Sequence, residues 1–210
     1  MTSEDKKETG RVEAFSDGVF AIAMTLLILD VKVPRAGELA GKTLLEALAG
    51  QWPHFLAYLT SFGTILVMWV NHHRMFTHIR RVDQAFLFLN GFLLFVVTFI
   101  PFPTGLVAEY ARHPGDPEAR TAAAVLSATY FVLALAFNLV WRCAASEGRL
   151  LDAHTDLAKA EEITRQYRLG PLCYLVTFGL AFVSVPASLG LVVLLALFWA
   201  FTGALPRLFG

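Results

Sequence analysis

The residues best equipped for chemistry lie in two short stretches, RVEAFSD at Arg11–Asp17 and WVNHHR at Trp69–Arg74. The second holds His72 and His73, with His78 and Asp83 just beyond. Histidines grouped this way can ligate a metal, relay protons or close a hydrogen-bond network. Neighbouring residues on a helix point about 100° apart, so His72 and His73 do not share one face, and no metal-ligating set is assigned. A histidine held in a hydrogen-bond network at a membrane boundary, or a solvated basic helix end, fits better. In the first stretch Asp17 follows Arg11 by six residues, outside the spacing that pairs charges along one helix face. Its partner must come from elsewhere: a histidine of the second stretch, the Trp69 indole, or an arginine of another segment or subunit. That pairing would clamp two helices together, and the same charges could form a pore mouth. Beyond Asp17, Ile22, Leu26 and Leu29 recur at helical spacing, with Thr25 beside them. Such a stripe is ordinarily packing or lipid contact. Here the helix starts polar, Gly18, Ala21 and Ala23 allow close helix approach, and Thr25 adds a hydroxyl, so a pore-lining face is the competing reading.

The elements that carry these residues are membrane helices. The chain has 210 residues, 56% hydrophobic and only 16% charged, with mean hydropathy +0.58. A soluble domain carries about a quarter of charged residues. Formal net charge is zero, so nothing points to nucleic acid as a partner. Cys143 and Cys173 fit no ligand pattern and read as buried thiols. There is no phosphate-binding loop, serine-nucleophile elbow, dinucleotide fingerprint or TVGYG filter loop, and no helix carries regularly spaced arginines.

The pattern predicts an all-α membrane protein with a disordered tail over 1–10 and one six-helix domain over 11–210. The spans are expected at about 11–33, 54–76, 84–107, 121–141, 169–185 and 187–205, each near the ~20 residues a bilayer requires. Pro101 and Pro103 should bend the third. Leu44, Leu45 and Leu48 suggest a short helix on the membrane surface before Trp52 at the interface. Residues 142–168 read as an exposed polar helix. With the N-terminus inside, twelve of the seventeen Lys and Arg residues fall on the cytoplasmic side and five outside: Lys32, Arg35, Lys42, Arg112 and Arg120. This bias puts both termini in the cytoplasm.

The run RVEAFSDGVFAIAMTLLIL, with Arg11, Phe15, Ser16 and Asp17, resembles the R-x-x-x-F-S-D signature of the transmembrane protein 175 family, the endolysosomal potassium channels and their prokaryotic relatives. WVNHHRMF, with Trp69, His72 and His73, resembles that family's second-helix segment. The resemblance implies a potassium-permeable channel without a P-loop filter, lined by the first helix of each subunit. With one six-helix unit, it implies a homotetramer, multi-pass in a prokaryotic cell membrane, whose partners are its own copies, the bilayer and potassium ions, with no cofactor. It places the narrow point at Ile22, further apolar layers at Leu26 and Leu29, and a threonine layer at Thr25. Arg11, Phe15, Ser16 and Asp17 would belong, with Trp69, His72 and His73, to the network that anchors the first helix. Two rivals are carried forward: a proton-coupled transporter or proton channel using Asp17 and the histidines, and a membrane enzyme with a histidine-bound metal.

Overall fold

A computed structural model describes residues 3–35, 37, 39, 41–111, 113–152, 155 and 157–201. The described chain is helical: α1 (Ser3–Leu26), α2 (Leu44–Gly50), α3 (Trp52–Phe76), α4 (Gln84–Phe99), α5 (Pro101–Tyr110), α6 (Pro117–Ala145), α7 (Leu157–Ala181) and α8 (Val185–Phe201). Among the described residues four stretches are long and apolar enough to cross a membrane: Glu8–Asp30, Trp52–Phe76, Gln84–Tyr110 and Pro117–Gly148. Val185–Phe201 is apolar but shorter.

Two boundaries differ from the sequence expectation. Residues 3–10, expected as a disordered tail, are the first turns of α1. Glu and Lys are strong helix formers, and Thr9 is buried, its hydroxyl donating to the Arg80 carbonyl at 3.0 Å. Of the polar helix expected over 142–168, the first residues end α6, and the part from Leu157 joins the span from 169 as α7, which runs unbroken through Pro171. A change from polar to apolar composition marks a change of surroundings, not a break in the backbone. The third span divides at Ile100, where Pro101 begins α5, the place at which its prolines are expected to bend it. The expected short helix is present as α2, closed by a capping box between Thr43 and Glu46, with Leu44 and Leu45 exposed. Residues 202–205 of the last expected span lie outside the described residues.

The core gathers on α6, whose inward residues Tyr130, Leu133, Phe137 and Trp141 meet α4, α7 and α8. One end of the molecule joins the start of α1 to the α3–α4 and α6–α7 connections. There Arg80 Nε donates to Asp152 Oδ2 at 2.7 Å, Arg149 pairs with Asp83, and Ile79 bridges Leu151. Glu147 and Gly148 turn the chain with φ of 55° and 66°, the left-handed region that glycine enters freely. The opposite end brings Asp30 against Gly105 and Ala181 and Val185 against Ala119 and Ala123.

Candidate functional site

The site is built where α1 crosses α3 and α4. Ser16, Phe20, Ala23 and Leu27 are buried on one face of α1, at the spacing of a packed helix stripe. Glu13 and Asp17 stand one turn apart on α1, and Trp69 and His73 stand one turn apart on α3. They meet as two rungs: Trp69 Nε1 donates to Asp17 Oδ1 at 2.8 Å, and His73 Nδ1 lies 2.9 Å from Glu13 Oε1. The Trp69 and His73 rings stack with centroids 6.0 Å apart.

A third connection is buried. The Asn90 amide on α4 donates to Ser16 Oγ at 3.0 Å, and Ser16 donates to the Val12 carbonyl. That orientation turns the Asn90 carbonyl toward His72, whose Nε2 lies 2.9 Å away. Nε2 therefore carries the proton and donates. His72 is wholly buried, between Phe20 and Phe76 with ring centroids 5.3 and 4.5 Å away. One asparagine thus satisfies groups on both α1 and α3, which matters where no water can substitute.

The structure brings together Ser16, Asp17, Trp69, His72 and His73 from the two sequence stretches. Arg11 and Phe15 stand apart. Both are exposed, and among the described residues the Arg11 side chain forms no hydrogen bond or ion pair. Their helical position explains this: Arg11, Phe15 and Ile22 lie on the face opposite the buried stripe. Glu13 and Asn90 were missed by sequence reasoning, although each left a signal. Glu13 precedes Asp17 by one turn, and Asn90 is a lone polar residue in the run FLFLNGFLLF.

The exposed face of α1 carries Ile22 at 58%, Leu26 at 42% and Leu29 at 72%. Thr25 is exposed among them, and its hydroxyl donates to the Ile22 carbonyl at 2.9 Å. The proton is committed to the backbone, leaving the oxygen lone pairs facing out. After Leu26 the helix tightens into a 3-10 turn, Leu27–Asp30. Asp30 Oδ2 and His54 Nδ1 are buried at this end without a hydrogen-bond partner.

At the other end, outside the apolar stretches, Asp83 begins α4. Its side chain accepts from the Phe86 amide at 2.8 Å. That bond and the Arg149 guanidinium hold its carboxyl below the usual range.

This helix-lined arrangement has close counterparts. The family model described as the endosomal/lysosomal potassium channel TMEM175 matches residues 11–101. A potassium channel of Chamaesiphon minutus is 50% identical over 200 residues, covering 95% of this chain and 97% of its own. The chain belongs to the TMEM175 family. It is therefore a membrane protein of a channel family and not an enzyme. The crystal structure of a lysosomal potassium-selective channel TMEM175 homolog from Chamaesiphon minutus superposes with a TM-score of 0.83 at 48% identity, covering 93% of this chain and 98% of that one. The human endosomal/lysosomal proton channel TMEM175 is 39% identical over 141 residues, 64% of this chain and 27% of that one. The family match spans the three elements that build the anchoring network, α1, α3 and α4.

Proposed function

We propose that this chain is a potassium-permeable cation channel, assembled as a homotetramer in the cell membrane, with α1 of each copy lining a central pore. Each copy spans the membrane six times, through α1, α3, α4–α5, α6, α7 and α8, with both termini in the cytoplasm. The observation that carries the reading is the character of the exposed α1 face. It combines Arg11, Ala14, Gly18, Ala21 and Thr25 with the apolar Ile22, Leu26 and Leu29. Small residues allow four helices to approach a common axis. A charged residue at one end and a hydroxyl in the middle suit water rather than lipid.

On this reading Ile22 forms the narrowest ring, and Thr25, Leu26 and Leu29 form the layers beyond it. Apolar rings gate by dewetting, and a cation crossing one gains no ligand. Preference then follows the cost of shedding water, which is greater for sodium than for potassium. The Thr25 oxygens, with their lone pairs free, add a polar layer one turn from the ring. Asp17 and the histidines serve as positioning groups that hold α1 at a fixed angle.

The test is Ile22→Asn in purified protein reconstituted into liposomes. Polar side chains would wet the ring, so the potassium-to-sodium permeability ratio should fall several-fold toward unity while conduction persists. An unchanged ratio would remove Ile22 from the constriction. The same liposomes with a pH-sensitive dye measure proton flux. Proton flux that exceeds potassium flux and is abolished by Asp17→Asn would favour the proton-channel rival.

A further inference from the structure

A cavity of about 370 Å3 opens in the side of the bundle between α3, α5, α6 and α8. It lies at the end away from the anchoring network, with Trp52 at its rim and Leu56, Val107, Leu189 and Val193 in its walls. Among the described residues no charged side chain lines it. Its volume is within the range of sites that take small molecules. Small residues leave the room: a Cβ added to Gly190 would meet nothing within 4 Å.

The floor is polar but self-satisfied. Thr104 Oγ1 donates to the Ile100 carbonyl at 2.9 Å, so the 2.8 Å contact between Ser61 and Thr104 is a bond donated by Ser61. Both hydroxyl protons are committed, so neither Ser61 nor Thr104 offers a donor to a polar headgroup. The cavity therefore accepts hydrocarbon in its depth and polar groups only at its Trp52 rim, the level tryptophan favours.

The shape narrows the occupant. A helix of a second copy is about 10–12 Å across, so this volume would admit only about one turn of it. Leaving the cavity empty would forfeit the dispersion contacts of its lining. A flexible chain can enter, and a bilayer supplies such chains at very high local concentration. We infer that one acyl chain of an outer-leaflet phospholipid occupies this cavity, with its headgroup beside Trp52. The inference rests on the membrane orientation proposed above, not on the pore assignment. The chain would also brace α5 where it matters to α1: Thr104 lines the cavity, and the next residue, Gly105, packs against the Asp30 carboxylate.

The test uses the full-length protein in nanodiscs of phosphatidylglycerol carrying dibrominated acyl chains, imaged by electron cryomicroscopy. Bromine density should lie between α3 and α8, once per subunit. Its absence there, or side chains of a neighbouring copy in its place, would overturn the inference. Gly190→Leu fills the slot and replaces glycine with a better helix former, so folding is preserved and can be checked by thermal unfolding. Native mass spectrometry should then show one phospholipid fewer per subunit than in the unsubstituted protein, and equal retention counts against the site. Potassium flux is read separately, so failure of the cavity and failure of the pore reading remain distinguishable.

Discussion

Two helices of this molecule present equally exposed faces, and the faces differ in kind. The outer face of α4 carries Phe88, Phe92, Phe95 and Phe99, with Phe88 and Phe95 exposed to 72% and 68%. The outer face of α1 has one exposed aromatic, Phe15, and otherwise sets alanine and glycine among Ile22, Thr25 and Leu29, ending at Arg11. Bulky aromatics without a polar atom suit a hydrocarbon solvent. Small residues, a hydroxyl and a guanidinium do not. On the proposed reading the two exposed faces have different neighbours: lipid for α4, and water with other copies for α1. The contrast has meaning only because α1 is held at one rotation by its buried face.

That rotation offers the largest effect. Asn90→Leu removes the bonds to both Ser16 and His72, leaving the buried His72 Nε2 proton unpaired and Ser16 Oγ with only its bond to the Val12 carbonyl. Each loss costs about 1–3 kcal/mol, so the variant should lose about 3 kcal/mol, seen as a lower unfolding midpoint in detergent, and its potassium flux should fall. Next comes Phe95→Asn, which exposes an amide to hydrocarbon in place of a ring. A loss of about 2 kcal/mol is expected, measured as reduced yield and thermal stability. If Ile22→Asn costs as much as Phe95→Asn, the two faces share one environment and the contrast collapses.

A smaller effect lies at the helix start. Asp83→Ala removes the cap of α4 and should cost about 1 kcal/mol. It also has a pH signature. The folded carboxyl titrates below its ordinary value, because the Phe86 amide and Arg149 favour the charged form. Its contribution is complete above the ordinary carboxylate pKa and is lost as pH falls through the lower folded value. The stability gap between the original protein and Asp83→Ala should therefore be constant near neutrality and close only below about pH 4. A gap that closes already near neutrality would count against the Asp83 carboxylate as its source.

What could be read from residues alone divides along similar lines. Asp17 announced its need for a partner because a carboxylate in an apolar helix demands one, and Trp69 was among the candidates. The partner of His72 was not legible. Asn90 lies eighteen residues away in a different helix, and periodicity describes only the faces within one helix. Arg11 illustrates the converse: membership in a signature gives no direction for a side chain, and its helical position turns it away from the network. The long apolar helices were legible from composition. The extent of α1 and α7 was not, since Glu, Lys and Gln continue a helix as readily as they form a solvated segment.

The 3-10 turn at Leu27–Asp30 carries a mechanical consequence for the outer part of α1. A 3-10 helix advances about 120° and 2.0 Å per residue, against about 100° and 1.5 Å in an α-helix. Over the three steps from Leu26 to Leu29 the extra winding amounts to about 60°, so Leu29 stands well off the azimuth that a continuous α-helix would give it. Rewinding those four residues would swing Leu29 back through that angle and shorten the segment by about 2 Å, with Ile22 unmoved. The helix thus ends in a torsion spring, fixed at its inner end by the bond network and seated at its outer end by Asp30 against Gly105. In the proposed pore, a twist confined to one turn would reset the Leu29 layer while the Ile22 ring keeps its width.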